Sequence, residues 1–460
     1  MNPENSSKVP GSFRDPSGYL FRLEGKLYRQ VNNVYRENYD LLMRSGLYEE
    51  LAGLGLLVRH EEVDIRGPEP AEAYRVICPE TLPFISYPYE WCFSQLKDAA
   101  LLMLKIQKMA LGRGMTLKDC SAYNVQFSGG RLLLIDTLSF EKYLEGRPWT
   151  GYRQFCQHFL APLALMSYKD VRLGQLLRIY LDGVPLDLAG SLLPGRTRLS
   201  LPLLAHIHLH ARSQAHYADR KTDVKNLRLS LNGLYGIIEQ LADTVRGLTW
   251  RPRGRGWDAY YTDHNYSNTA FEHKKEMVGR FLKRLGPATV WDLGANTGVF
   301  SRVAAAGGAE TISFDMDAAA VEINYLSCLK EKQEHILPLV VDLSNPSPGT
   351  GWENSERMSM AGRGPADTVL ALALVHHLAV SNNVPLERIA RFMSGLCRSL
   401  IIEFVPRDDS QLQRMLATRD DVFSGYTQQG FEQAFGRHFI IDECAAIRES
   451  HRTLYLMRAR

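Results

Sequence analysis

The stretch Val290–Ser301, VWDLGANTGVFS, constrains this chain more than any other part of it. Val290 and Trp291 end an apolar run, Asp292 closes it, and Gly294 and Gly298 bracket a tight turn. Val299, Phe300, Val303 and Ala304 then fall at helical spacing. Strand, glycine turn and helix in that order suit a nucleotide, because glycines let the backbone come close to a ligand and free N–H groups at a helix start face it. Two familiar versions are excluded. A dinucleotide turn needs G-x-G-x-x-G, and D-x-G-x-x-x-G lacks the middle glycine. A P-loop needs Lys and then Ser or Thr after its last glycine, where Val299 and Phe300 stand here.

Further strands follow at the intervals of an α/β sheet. Thr311–Phe314 leads into Asp315-Met316-Asp317, about 20 residues on, where an acidic side chain can accept both hydroxyls of a ribose. Asp315 directly follows the apolar run and is the better placed. Ile336–Val341 ends in Asp342, Thr368–Val375 is followed by His376 and His377, and Leu400–Val405 carries Glu403 after a helix around Pro385–Cys397. Phe439–Cys444 and Thr453–Met457 suit a closing antiparallel hairpin. Continuously apolar strands alternating with helical stretches signal a parallel sheet covered on both faces.

The series Asp292-Leu-Gly294-Ala-Asn-Thr-Gly298, Asp315 and Asp342 resembles the motifs of class I S-adenosylmethionine (SAM) dependent methyltransferases, over roughly Trp257 to Arg460. The resemblance implies an α/β fold with a Rossmann-like seven-stranded sheet, and SAM as cofactor. It implies that Gly294, Ala295, Asn296, Thr297 and Gly298 pass beneath the methionine part and that Asp292 helps to hold its cationic end. Asp315 then meets the ribose and Asp342 the adenine side, with Met316, Leu343, Ala371 and Leu372 also among the cofactor contacts. His376 and His377 would lie beside the methyl donor, where either can take a proton from an acceptor hydroxyl, with Glu403 as a further candidate base. A structural cap is the plainer role for one of the two histidines. The stretch Ala371-Leu-Ala-Leu-Val-His-His lacks the Asn-Pro-Pro-Tyr clamp of methyltransferases that act on exocyclic amines and amides. That tilts the expectation towards an oxygen, carbon or small-molecule acceptor. The competing reading is a nucleotide-free α/β core in which the aspartates cap helices.

At 460 residues the chain exceeds one ordinary domain. A net charge of +3 gives no strong nucleic-acid or membrane signal, and no apolar run approaches the roughly 18 residues of a membrane helix. Seven cysteines without C-x-x-C, and a polar start without a signal pattern, point to a reduced, cytoplasmic protein.

The domains expected are a flexible tail (1–15), an α+β domain (16–245), a linker (246–256) rich in Arg, Gly and Pro, and the methyltransferase domain (257–460). In the N-terminal half, Tyr19–Leu23 and Lys26–Val31 around Glu24-Gly25 read as a β-hairpin, Tyr39–Leu54 and Trp91–Ala110 as helices and Tyr74–Cys78 as a strand. Leu117–Phe127, Gly129-Gly130 and Leu132–Asp136 then form a strand, a turn and a second strand ending in a carboxylate. The intervals between Asp119, Asn124 and Asp136 resemble the catalytic segment of kinase-like phosphotransferases. That resemblance implies that Asp119 orients a hydroxyl while Asn124 and Asp136 hold magnesium. The departures are Lys118 before Asp119, Thr137-Leu138-Ser139 after Asp136, no glycine-rich loop, and only Lys26 or Arg29 in the place of the strand lysine. The plainer reading has Asp119 and Asn124 capping a loop and Asp136 anchoring a turn.

His206, His208, His210 and His216 suggest a metal, but no carboxylate completes a site, and packing at a helix surface is the expectation. Val224, Leu227, Leu231, Leu234, Ile238 and Leu241 form an apolar helical stripe, and the aromatics of Trp257–Tyr266 suit a cover over the cofactor. The function expected is methyl transfer to an unidentified acceptor, with the N-terminal domain shaping access. Its rivals are a bifunctional enzyme that also binds ATP, and a non-catalytic SAM-binding scaffold.

Overall fold

The computed structural model describes residues 6–209, 229–251, 267–417 and 425–460. It divides into two compact units, Met1–Trp250 with Gly351–Arg357, and Arg251–Thr350 with Met358–Arg460. The aromatic segment Trp257–Tyr266, His210, His216, Val224 and Leu227 lie outside the described residues.

The first unit carries a five-stranded antiparallel sheet of order β1-β2-β3-β5-β4, from Ser6–Lys8 (β1), Gly18–Leu23 (β2), Lys26–Asn32 (β3), His60–Val63 (β4) and Ala73–Pro79 (β5). The expected tail is therefore part of the sheet from Ser6 onward, where β1 lies against Phe21–Leu23. The β2–β3 hairpin turns at Glu24 (φ 53°) and Gly25 (φ 79°), the left-handed pair that a two-residue hairpin requires. The helix expected over Tyr39–Leu54 is two helices, Arg36–Arg44 and Leu47–Gly53, because Gly46 at φ 75° breaks the ladder between them.

A long buried helix, Phe93–Gly112, precedes Met115–Leu117 (β6), Val125–Ser128 (β7), Arg131–Leu134 (β8) and Phe140–Lys142 (β9). β6 pairs antiparallel with β9, and β7 with β8. His206 bonds Tyr152 Oη at 2.6 Å and Gln240 Oε1 at 3.0 Å, and His208 bonds Thr197 Oγ1 at 2.9 Å. These histidines are satisfied packing residues, and among the described residues no group of three or more His, Cys, Asp or Glu could hold a metal ion. No described helix is long and apolar enough to cross a membrane.

The second unit is a mixed α/β layer structure around one seven-stranded sheet. Its strands are Thr289–Leu293 (β10), Glu310–Asp315 (β11), Ile336–Val340 (β12), Ala366–Ala371 (β13), Cys397–Phe404 (β14), Phe439–Ala446 (β15) and Thr453–Ala459 (β16), in the order β12-β11-β10-β13-β14-β16-β15. β10 to β14 run parallel, and the closing β15–β16 hairpin joins through β16, antiparallel to β14. The chain starts at β10, moves outward through β11 and β12, and returns to β13 on the other side. That reversal leaves a crevice at the carboxyl ends of β10 and β13, the usual ligand position in an open α/β sheet. The helix Asn268–Leu285 lays Ala270, Met277, Val278, Phe281 and Leu282 against Val290, Leu370, Ile401 and Leu456, which form the core that fixes those strand ends.

Candidate functional site

Register sets four strand ends side by side. Asp292 lies opposite Ser313 on one flank and Leu370 on the other, and Asp315 lies opposite Val340. Val341 then donates its N–H to the Asp315 carbonyl at 2.9 Å, which brings Asp342 to the same edge.

The glycine turn follows β10. Gly294, Asn296 and Gly298 all take left-handed backbone, with φ of 74°, 51° and 81°. Such a run needs outside support, because only glycine adopts it without strain. The neighbouring strand supplies it: Gly294 and Ala295 donate to the Phe314 carbonyl at 2.9 Å each, and Asn296 N–H donates to Asp315 Oδ2 at 2.7 Å. Asp315 Oδ1 accepts from Asp317 N–H at 2.8 Å, so one carboxylate ties together the tips of β10 and β11. Burial raises its pKa above the usual carboxylate range. Asn296 is exposed and Thr297 buried.

Beneath the turn is a polar cluster. Ser301 Oγ donates to Asp292 Oδ2 at 2.6 Å and lies 2.8 Å from Ser313 Oγ, to which Asn324 Nδ2 donates at 2.9 Å. Arg302 donates to Asn324 Oδ1 at 2.9 Å and to the carbonyls of Thr297 and Gly298 at 3.0 and 3.1 Å. Asp292 is almost fully buried, and burial pushes its carboxyl up to about 6 against the opposing bonds from Ser301. Asp342 Oδ1 accepts from Ser344 N–H at 2.8 Å and Ser344 Oγ at 2.7 Å, an Asx turn. Met316 projects with 69% of its surface exposed, Leu343 is half-buried, and Ala371 and Leu372 are buried.

The fourth strand ends earlier than its apolar run suggests. β13 stops at Ala371, and Ala373 is left-handed at φ 50°, a strained conformation for alanine. Its N–H donates to Glu403 Oε2 at 2.8 Å, and Lys274 Nζ reaches the same oxygen at 2.6 Å. Arg452 approaches Glu403 Oε1 at 3.4 Å and Asp409 Oδ2 at 2.7 Å. Glu403 is fully buried, and Lys274 and Arg452 nearly so. Burial lowers the Lys274 pKa, opposed by Glu403.

The bend delivers His376, buried, and His377, exposed, with ring centroids 4.3 Å apart. Burial, then His377 and Arg452, lower the His376 pKa to about 3, so its ring is neutral at physiological pH, and its Nδ1 has no hydrogen-bond partner. His377 is lowered as well, by desolvation and Arg452.

Sequence reading missed Lys274, Arg452 and the Ala373 bend. One signal for Lys274 was present: it falls in register with Ala270, Met277, Val278 and Phe281 on the apolar stripe of its helix, where a lysine needs a buried partner. In the first unit, Asp119, Asn124 and Asp136 also come together. Asn124 Nδ2 donates to Asp119 Oδ2 at 3.0 Å, and Ser139 Oγ, 3.5 Å from Asn124 Nδ2, donates to Asp136 Oδ2 at 2.6 Å.

The chain is 36% identical over 461 residues to the nodulation protein NoeA of Rhizobium meliloti (strain 1021), a match covering 97% of this chain and 95% of that protein. No protein-family model matches it. Among solved structures, the magnesium protoporphyrin IX methyltransferase ChlM of Synechocystis PCC 6803 with bound SAH is 18% identical, covering 44% of this chain and 92% of that one at a TM-score of 0.32. The N-methyltransferase NodS of Bradyrhizobium japonicum WM9 is 12% identical, covering 42% and 98% at a TM-score of 0.31.

A Cβ at Gly298 would stand 2.4 Å from the Asn324 side-chain amide, which Ser313 and Arg302 hold in place. Gly298→Ala should cost about 2–4 kcal/mol in denaturant unfolding, and a loss under about 0.5 kcal/mol would mean the turn is loosely held. Glu403→Gln leaves Lys274 without its buried counter-charge and should cost about 3–5 kcal/mol by the same measurement.

Proposed function

Given that this chain belongs to the family of the nodulation protein NoeA, and given the geometry of its second unit, we propose that it is a SAM-dependent methyltransferase acting in nodulation. The observation that carries this reading is the left-handed glycine turn, braced by Asp315, at the switch point of a parallel sheet whose neighbouring strand ends bear Asp292, Asp315 and Asp342. The donor set fits SAM: a buried carboxylate for an ammonium, a second carboxylate for ribose hydroxyls, and backbone that comes close because two glycines lack Cβ atoms.

When bound, SAM supplies an electrophilic methyl group. The chain's own residues bind, orient and exclude water, which is most of what an in-line displacement asks of a protein. Asp292 holds the amino acid end, Asp315 the ribose, and Asp342 with Leu343 the adenine side. Met316, an apolar side chain left bare beside Asp315, suits the flat face of a base. Gly294, Ala295, Asn296, Thr297 and Gly298 form the floor, and Ala371 and Leu372 the wall.

On the acceptor side we assign different roles to His376, His377 and Glu403. Glu403 already faces two cations and an amide, so it braces the Ala373 bend and is not the base. Neutral His376 offers Nδ1 as a hydrogen-bonding group that orients the acceptor. Exposed His377 is the better placed to take up a proton. A small-molecule acceptor presenting oxygen or carbon fits imidazoles better than it fits an amide clamp, which this bend lacks.

Calorimetric titration with S-adenosylhomocysteine tests the cofactor site. Asp315→Ala should weaken binding at least about tenfold, since it removes the ribose contacts and the Asn296 brace. Unchanged affinity would place the ribose elsewhere. Titration of Asp292 adds a pH signature. Its raised pKa means that the anion which attracts an ammonium is present above about pH 6 and is lost as pH falls through that value. Affinity should rise about tenfold from pH 5 to pH 7 in wild type, and much less in Asp292→Asn. Equal slopes in the two proteins would show that Asp292 does not meet the cation.

A further inference from the structure

The Asp119–Asn124–Asp136 cluster is independent of the methyltransferase site. Two carboxylates and an amide oxygen on one loop and the next strand end make a hard-cation donor set, and magnesium is the ion they would take. The side-chain arrangement argues against that use. Asp136 Oδ1 pairs with Arg29 Nη1 of β3 at 2.5 Å and accepts Leu138 N–H at 3.1 Å, while its Oδ2 accepts Ser139 Oγ at 2.6 Å. Both oxygens are therefore engaged. Asn124 turns its Nδ2 donor to Asp119, which accepts in addition from Ser121 N–H at 3.0 Å. A metal would need the amide oxygen there instead.

Charge balance points the same way. Asp136 already has a counter-ion in Arg29. Lys118 is committed to Asp15 at 3.3 Å and to Ser17 Oγ at 2.7 Å, with its ammonium 4.9 Å from the Tyr35 ring centre. The Arg29 side chain and its Asp136 partner are each only 12% exposed, and a guanidinium does not deprotonate, so no change of pH vacates the position. A divalent ion arriving beside it would meet a fixed positive charge in a poorly solvated place.

We infer that the chain supplies its own counter-ion to Asp136, the Arg29 guanidinium, and that with this carboxylate so paired the first unit takes up neither magnesium nor a magnesium nucleotide. Arg29 is then a built-in counter-ion that locks β3 to the strand-end carboxylate. Removing it should turn the cluster into a real metal site.

Thermal unfolding of the full chain, with and without magnesium chloride at constant ionic strength, tests this. Wild type should show no magnesium-dependent shift and no heat with magnesium-ATP in calorimetry. Arg29→Ala should melt lower, and magnesium should then raise its midpoint by on the order of 3 °C for each tenfold excess over its Kd. That rescue should vanish in Arg29→Ala/Asp136→Asn. Arg29→Lys, which keeps the charge and is the safer variant to fold, should remain insensitive to magnesium. Should Arg29→Ala not fold, manganese titrated into wild type and followed by electron paramagnetic resonance decides the matter: no bound ion attributable to the cluster is expected. Three results would overturn the inference: a magnesium shift or magnesium-ATP heat in wild type, bound manganese that Asp136→Asn removes, or a folded Arg29→Ala that magnesium leaves unmoved.

Discussion

One hydrogen bond holds the second unit's site together, from the Asn296 amide to the Asp315 carboxylate at 2.7 Å. Asn296 sits between two left-handed glycines; the turn satisfies its Gly298 amide itself, through the Ala295 carbonyl at 2.9 Å, but the amides of Gly294, Ala295 and Asn296 bond outside it. The adjacent strand takes them up through the Phe314 carbonyl and the Asp315 side chain. The parallel pairing of β10 and β11 therefore sets the shape of the turn as much as the glycines do. The polar cluster below, from Asp292 through Ser301 and Ser313 to Asn324 and Arg302, fills the space that a Cβ at Gly298 would need.

A second constraint works from the opposite flank of the crevice. Glu403, Lys274, Arg452 and Asp409 form a buried alternation of charge, and its net effect is geometric. Removal of one member takes a counter-charge from a desolvated neighbour, so the four hold one arrangement. Ala373 pays for that arrangement with a left-handed backbone, and the bend is what turns His376 inward. The turn after β10 and the bend after β13 are thus held by different means, hydrogen bonds to a strand in one case and an ion network in the other.

Much of the second unit was legible because its inner strands are mostly apolar runs, three of them closed by Asp292, Asp315 and Asp342. The strand ending at Val290-Trp291, Thr311–Phe314 and the hairpin over Phe439–Cys444 and Thr453–Met457 are drawn from the letters alone, and each falls within a residue or two of an observed strand. The rest depended on partners distant in sequence. Thr368–Val375 reads as one strand, yet it bends at Ala373 because a carboxylate thirty positions later captures an amide. Ser6–Lys8 carries no strand pattern and becomes one by pairing with β2. The intervals of Asp119, Asn124 and Asp136 brought those residues to notice, but spacing could not say that Arg29 would pair with Asp136. Charge partnership across elements is the part of a fold that periodicity does not encode.

The central claim is that the turn after β10 and the strand ends beside it receive an adenosyl ligand. Hydrogen–deuterium exchange of the full chain, with and without S-adenosylhomocysteine, tests it most directly because it reports where the ligand lands without presuming an acceptor. The account predicts slowed exchange in peptides covering 292–300, 313–319, 340–345 and 371–378, and no change in peptides covering 115–142. Protection elsewhere, or none at saturating ligand, would contradict it.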